Sequence, residues 1–138
     1  MIERAAAGAE LVLASVHAGG RMVNVAPWRR LLSRGAGWAV RRGLGVQAQT
    51  VSSFFRVYRA STLRAAARSF GEELIQESGF ACKAELLAKL TALGARIEEV
   101  PVELDASRRV GKSRMPVLRT TLAYGRLMVR QRTERMPA

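Results

Sequence analysis

The segment 108–115 (RRVGKSRM) concentrates four cationic side chains, one hydroxyl and one glycine. Its Gly-Lys-Ser at 111–113 matches the end of a phosphate-binding P-loop, G-x-x-x-x-G-K-[ST], whose glycine-rich turn surrounds phosphates with backbone N–H groups. However, Ala106 occupies the position of the first glycine, and Pro116 follows where the loop should open into a helix. We therefore reject the P-loop. Two interpretations stay open: a solvated basic turn, or a clamp that binds an anionic substrate through arginine and serine.

Three residue types that often carry chemistry occur only once each. Asp105 is the only aspartate, so a D-x-D pair that holds Mg²⁺ is excluded. A Ser-His-Asp triad would have to combine it with His17, the only histidine, without support from the local sequence. No set of about four zinc ligands is visible. Cys82, the only cysteine, rules out an intrachain disulfide, fits a reducing compartment and is predicted to be a small buried residue. We expect no cofactor or metal in this chain.

The charge is strongly positive. The 138 residues, the size of one domain (1–138), carry 23 Lys and Arg against 11 Asp and Glu, a net charge of +12. Such a surface attracts nucleic acid, anionic lipid or a phosphorylated ligand. No apolar run approaches the ~20 residues that span a bilayer, and Glu3 and Glu10 argue against a signal peptide. We expect a cytoplasmic protein with peripheral membrane contact.

The elements that would position these residues alternate between strand and helix, which indicates an α/β fold with few, short strands. Residues 11–15 predict a buried strand, and Pro27 suits the first turn of a helix over 28–42 that ends at Gly43 and Gly45. The remaining predicted elements are a strand at 54–58, a helix from an N-cap at Ser61 to Arg68, a helix at 81–93, an extended segment at 97–104 interrupted by Pro101, and a basic amphipathic helix within 116–133.

Periodicity assigns faces to the helices. In the helix over 28–42, one face carries Trp28, Leu31, Leu32, Gly35 and Ala39, and another carries Arg30, Arg34 and Arg41. In the last helix, one side carries Leu118, Leu122, Gly125 and Val129, and another carries Arg119, Arg126 and Arg130. We expect the tryptophans to be core or interface residues.

Five segments resemble one enzyme family when they are taken in order. They are 8–15 (GAELVLAS, like GADLVLGS), 28–36 (WRRLLSRGA, like WxxRRxxSRGA), 50–59 (TVSSFFRVYR, like DxTSGFRxYR), 79–87 (GFACKAELL, like GYxFQxELL), and 99–102 with 108–115 (EVPV and RRVGKSRM, like EVPIxF and RxxGxSKM). Their order and spacing over about residues 8–130 resemble the C-terminal half of the polyprenyl-phosphate glycosyltransferases. That group comprises the dolichol-phosphate mannosyltransferases and related family 2 enzymes of the GT-A fold.

This resemblance implies an incomplete GT-A-like (Rossmann-like) sheet with several packing helices, lacking the nucleotide-binding half. It implies transfer of a sugar, mannose or glucose, from a nucleotide-sugar to a polyprenyl or dolichyl phosphate. A lipid phosphate is already an anionic nucleophile near neutral pH, so it needs positioning and charge neutralisation more than a general base. The candidates for phosphate binding, expected to converge on one pocket, are Arg29, Arg30, Ser33, Ser53, Arg56, Arg108, Gly111, Ser113 and Arg114.

Departures from the family pattern limit what the chain could do. The half that would hold the nucleotide-sugar, with a D-x-D site for Mg²⁺ or Mn²⁺, has no counterpart in it. Val16 and Thr50 replace the family's Arg and Asp, while Lys83 replaces a Gln and Arg114 a Lys. We expect a half-enzyme that is inactive alone. The implied partners are a polyprenyl phosphate, a separate N-terminal half carrying D-x-D, and an anionic membrane surface.

Plainer interpretations stay open beside these. The helix arginines could form a solvated face, and Ser53 could be a turn former. Glu85 could be a catalytic carboxylate, but a surface ion pair with Lys89, four residues later, is favoured. The alternative function is a basic module that binds nucleic acid or anionic membrane without chemistry. Nucleic acid is disfavoured because no known nucleic-acid-binding motif is visible and aromatic residues make up only 6% of the chain.

Overall fold

The computed structural model describes residues 1–105, 107 and 117–133, apart from the side chains at 29, 32, 117, 118, 132 and 133. A short 3₁₀ turn spans Gly71–Leu74. The elements in chain order are α1 (Ile2–Ala6), β1 (Leu11–Ser15), β2 (Arg21–Val23), α2 (Pro27–Leu44), β3 (Arg56–Tyr58), α3 (Ala60–Phe70), α4 (Ala81–Ala92), β4 (Ile97–Pro101), β5 (Glu103–Asp105) and α5 (Val117–Thr133).

The strands form two small sheets. The larger has the order β3-β1-β4, in which Leu11 lies opposite Tyr58 in an antiparallel pairing and opposite Ile97 in a parallel one. β2 and β5 form a separate parallel pair, with Arg21 opposite Glu103. The predicted α/β class and the small number of short strands are confirmed, whereas the GT-A topology stays a prediction.

β1 is the centre of the core. All five of its residues are buried, as expected for an apolar run in a strand that is covered on both faces. Leu11 and Leu13 pack in one cluster with Leu87 and Leu90 of α4, and all four side chains are fully buried. This packing fixes the position of the carboxyl end of β1, at Ser15, which is itself fully buried.

α2 begins with Pro27, as predicted, and ends at Gly45, whose positive φ of 66° suits a residue without Cβ. Gly43 does not end the helix but lies inside it, beside the Met128 side chain of α5. The sequence predicts that the tryptophans are core or interface residues. They are not core residues of this chain, because Trp28 and Trp38 are 61% and 63% exposed, and an interface role stays a prediction. Only the carboxyl end of α2 contributes to the core, where Leu44 is buried and Val40 packs against the cluster. The apolar side chains nearer its start, such as Leu31, are exposed.

α5 buries a different face from the predicted one, which carried Leu122 and Val129. Thr120, Ala123 and Leu127 are buried, whereas Leu122 and Val129 are 58% and 63% exposed. The position of α4 explains this orientation. Its one carboxylate, Glu85, pairs with Arg130 of α5, whose side chain is 24% exposed, as described below.

Three local expectations are corrected. α3 begins at Ala60 with Arg59 as its N-cap residue, so Ser61 lies inside the helix and does not cap it. Cys82 is half-buried, and its thiol donates to Gly79 O at 3.0 Å. The Glu85–Lys89 pair is buried rather than at the surface, because the chain at 73–77 and α5 cover it.

Among the described helices, none combines the length and the apolar character that crossing a bilayer requires.

Candidate functional site

The carboxyl end of β1 holds a tightly fixed loop, 16–20. Ser15 Oγ lies 2.5 Å from Thr50 Oγ1 and accepts hydrogen bonds from the backbone N–H groups of His17 and Ala18, at 3.2 and 3.1 Å. A Cβ on Gly20 would collide with the carbonyl oxygens of Ser15 and Val102, so only glycine fits where the loop turns back. The buried serine and this glycine therefore fix the position of His17.

Loop 16–20, β2 and α2 enclose a cleft rich in guanidinium groups. Its larger part, about 490 Å³, lies between β2, the loop and the amino-terminal half of α2. A smaller recess of about 150 Å³ continues along α2 toward Gln49, and both parts share His17 and Arg34. We call this site the arginine cleft, defined by His17, Arg21, Arg30, Ser33, Arg34 and Arg41.

The arginine cleft is strongly electropositive. No acidic residue is among the described residues that line it. Within the described part of the chain, no ion pair joins Arg30 or Arg34 to a carboxylate. Arg41 Nη1 donates to Gln49 O at 2.9 Å, which points that side chain along the recess. Guanidinium groups with free donors suit the oxygens of a phosphate.

His17 lies where these positive charges meet. Burial, followed by the charges of Arg34 and Arg41, lowers the pKa of the imidazole from its usual value of about 6.5. Glu99 acts weakly in the opposite direction. Its carboxylate accepts backbone hydrogen bonds from Gln49 at 2.7 Å and Thr50 at 2.9 Å. The His17 side chain is therefore neutral near pH 7.

The structure brings together some of the predicted site residues. Arg30 and Ser33 both line the arginine cleft. Ser53 and Arg56 are not among the residues that line it. Four predicted residues, and the side chain of a fifth, lie outside the described part of the chain: Arg108, Gly111, Ser113 and Arg114, and the side chain of Arg29. Ser53 and Arg56 therefore do not converge on this cleft, whereas convergence of the residues outside the described part stays a prediction.

Arg56 lies in a second cluster, where it binds the chain itself. Its Nε donates to Ser53 O at 2.9 Å, and Nη2 donates to Val51 O at 2.5 Å. Nη1 donates to Lys83 O at 2.8 Å and to Tyr58 Oη at 3.3 Å. Four of the five guanidinium N–H groups are thus used, which leaves one for a ligand.

Lys83 lies beside this guanidinium group. Its Nζ is 2.7 Å from the centroid of the Phe54 ring, a cation–π contact, and that ring meets Phe80 edge-on at 5.1 Å. Burial, with a smaller contribution from the Arg56 charge, lowers the pKa of Lys83. Lys83, which stands where the family pattern has glutamine, is therefore held against the rings of Phe54 and Phe80.

Sequence reasoning did not select His17, Arg34 or Arg41 as ligand contacts. One signal was available for His17, since it follows a buried strand directly and the carboxyl ends of strands are common ligand sites in α/β sheets. Arg34 and Arg41 were recognised as one helix face, but helical spacing does not say what that face meets.

The described residues do not offer a metal site. No three of their His, Cys, Asp and Glu side chains lie close enough together to hold a metal ion. Asp105, the only aspartate, accepts hydrogen bonds from Asn24 Nδ2 at 2.9 Å and from Ser107 Oγ at 2.7 Å. These bonds lower the pKa of the Asp105 carboxyl group. The bond from Asn24 also links the end of β5 to the chain after β2.

The sequence is similar to a curated glycosyltransferase. Over 108 residues, 78% of this chain, it is 32% identical to the undecaprenyl-phosphate mannosyltransferase of Micrococcus luteus. The aligned part is 42% of that protein, so the chain spans about two fifths of the length of its relative. No family model and no solved structure matches the chain. The basic cleft at the end of β1 thus lies in a chain that is similar, over this part of its length, to an undecaprenyl-phosphate mannosyltransferase.

Proposed function

We propose that this chain is the acceptor-side part of a glycosyltransferase and that its arginine cleft binds the phosphate of a polyprenyl phosphate. One observation carries the proposal. Arg30 and Ser33, selected from the sequence as phosphate contacts, line one cleft with further arginines and no acidic side chain among its described residues. The similarity to a mannosyltransferase named for undecaprenyl phosphate supports the choice of ligand.

The chemistry asked of these residues is modest. In sugar transfer to a lipid phosphate, a phosphate oxygen attacks the anomeric carbon and the nucleotide leaves. The phosphate carries its negative charge before the reaction, so Arg30 and Arg34 would hold and partly neutralise it while Ser33 Oγ donates a hydrogen bond. The donor nucleotide and its metal would be held by a partner polypeptide carrying D-x-D, and the chain alone would not turn over.

Peripheral membrane contact belongs to the same proposal. α2 has Arg34 and Arg41 on the cleft side. Trp28 and Leu31 lie on another face, Trp38 lies beside Arg41, and all three apolar side chains are more than 60% exposed. A helix with tryptophan on one face and arginine on another suits the boundary of an anionic membrane. A lipid held at its phosphate in the cleft would then have its chain close to the bilayer. This arrangement supports the proposal.

Ligand binding tests the cleft directly. Isothermal titration calorimetry of the chain with farnesyl phosphate should show binding, and farnesol should not bind because it lacks the phosphate. Arg34→Gln and Ser33→Ala should each weaken binding, the arginine change by about tenfold or more, as loss of a charge-assisted hydrogen bond implies. Arg64→Gln removes an equal charge from an exposed position on α3, outside the cleft, and should change affinity less than twofold. Equal binding of farnesol, or an unchanged affinity of Arg34→Gln, would contradict the proposal.

Turnover and membrane binding test the rest. Sugar transfer to a prenyl phosphate should be absent for the chain alone and appear when a D-x-D-bearing N-terminal half is added. Both tryptophans lie on α2, so a blue shift of their fluorescence with anionic vesicles would report docking by this helix. Tight, salt-sensitive binding to random DNA, with no response to vesicles or prenyl phosphate, would instead favour a nucleic-acid-binding module.

A further inference from the structure

The single histidine lies at the junction of the two parts of the arginine cleft. It lines both the larger part and the recess, and Arg34 is the only other described residue that does so. Its backbone N–H is held by the buried Ser15 hydroxyl. An anion that bridges the two parts would therefore lie beside His17 and Arg34.

The charges that surround His17 come from three elements. Arg34 and Arg41 face it from α2, and Glu99 acts on it from β4. Arg21 of β2 and Arg30 of α2 line the same cleft farther along. Positive charge thus predominates around a ring that is itself neutral, and a second proton is disfavoured as long as the cleft holds no counter-charge.

We propose that His17 is a ligand for oxyanions in the arginine cleft and binds them as imidazolium, so that anion binding takes up one proton. An incoming dianion neutralises the field of the arginines and adds an attractive partner for the second N–H of the ring, and both effects favour protonation. Affinity must then rise as pH falls, because the protonated form binds the anion better. This inference rests on the proposed phosphate-binding role of the cleft and adds the residue that makes binding depend on pH.

Sulfate is the probe of choice because a proton taken up when it binds can be assigned to the protein. It stays a dianion between pH 5 and 8, whereas a phosphate monoester titrates near pH 6, so any proton taken up on sulfate binding belongs to the protein. The imidazole C–H resonance needs no assignment, since the chain has one histidine. We expect an NMR titration to give a pKa below about 6.5 without sulfate and about one unit higher at saturating sulfate. By linkage, a one-unit shift corresponds to about tenfold tighter sulfate binding at the acid limit than at the alkaline limit.

Two controls separate binding from general effects of charge. Sodium chloride at matched ionic strength reports the shift due to screening of the arginines alone. His17→Gln should still bind sulfate through the arginines but lose the pH dependence, whereas Arg64→Gln should keep it. An equal pKa shift in chloride and sulfate, no sulfate binding, or an unchanged pH dependence in His17→Gln would each overturn the inference.

A second arm distinguishes this inference from the proposed function. If sulfate shifts the pKa of His17 but farnesyl phosphate does not bind, the anion site exists and the assignment to a lipid phosphate fails. If farnesyl phosphate binds and requires Arg34 while the His17 resonance does not respond, the proposed function holds and the role of His17 is wrong.

Discussion

Glu85 and Lys89 form an ion pair of 2.8 Å inside the protein, one turn apart on α4, with side chains 0% and 9% exposed. The same carboxylate oxygen accepts from Arg130 Nη2 of α5 at 2.6 Å. Its other oxygen accepts from the backbone N–H groups of Gln76 and Glu77, at 2.9 and 2.7 Å. One buried carboxylate therefore joins α4, α5 and the chain that follows the 3₁₀ turn.

Removing that carboxylate should destabilise the protein severely. Glu85→Ala leaves Lys89 without its carboxylate partner and leaves Arg130 with the longer pair to Glu77, at 3.7 Å. We expect a loss of about 3–5 kcal/mol in the free energy of unfolding. Urea denaturation followed by circular dichroism measures it. Glu98→Gln is the matched control, because Glu98 pairs with Arg96 and Arg4, which are 60% and 65% exposed. Its loss should stay below about 1 kcal/mol, and equal losses would contradict the buried network.

The orientation of α5 predicts opposite outcomes for two of its leucines. Leu127 is fully buried against the core, whereas Leu122 is 58% exposed. Leu127→Ala should cost about 2–5 kcal/mol of unfolding free energy, the range for core leucines. Leu122→Ala, the same chemical change on the same helix, should stay within about 0.5 kcal/mol. The reverse order in thermal or urea unfolding would show that α5 is rotated about its axis.

Two glycines should respond in opposite directions to alanine. A Cβ at Gly20 meets backbone carbonyl oxygens that cannot move aside, so Gly20→Ala should cost about 1–3 kcal/mol of stability. A Cβ at Gly35, inside α2, meets nothing within 4 Å. Gly35→Ala should stabilise by up to about 1 kcal/mol, because alanine loses less backbone entropy in a helix. Melting temperatures of the two variants test this. No loss in Gly20→Ala would contradict the packing of loop 16–20, and a loss in Gly35→Ala would contradict the open space beside that glycine in α2.

Stability should fall when pH is lowered below about 6.5 in the absence of anions. The pKa of His17 is lower in the folded protein than in the unfolded chain, chiefly through burial, so the unfolded chain binds the proton first. The contribution of His17 is present in full above about pH 6.5 and is lost as pH falls toward the folded pKa. His17→Gln should remove this part of the slope in chemical denaturation between pH 7 and 5. Identical slopes in wild type and variant would contradict the lowered pKa.

A further loss of stability should begin at more acid pH in both the wild type and the His17→Gln variant. The pKa of Glu10 is lowered by hydrogen bonds from the Arg96 backbone N–H and the Thr62 hydroxyl. This stabilisation is present above about pH 4.5 and lost below it. Its separate pH range distinguishes it from the contribution of His17.

The local sequence was sufficient where a short-range signal acts alone. The apolar run at 11–15 became β1 with the predicted bounds, and Pro27 began α2. Arg30 and Ser33 were selected from the motif around them, and both line the arginine cleft. For β1 and for the start of α2, the deciding property belongs to a few adjacent residues: a continuous apolar run in the strand, and the fixed φ of proline at the helix start.

Tertiary contacts decided the rest. Helical spacing put Arg34 and Arg41 on one face of α2, and Leu122 and Val129 on one face of α5. Which face of a helix is buried depends on what packs against that helix. Glu85 has the same sequence neighbours whether its pair with Lys89 is at the surface or, as observed, inside. The sequence by itself thus predicted β1 and the longer helices with their polar and apolar faces, but not α1 or β2. Only the folded chain decided that His17 meets the arginines, because a cleft and its electric field arise from groups that are distant along the chain.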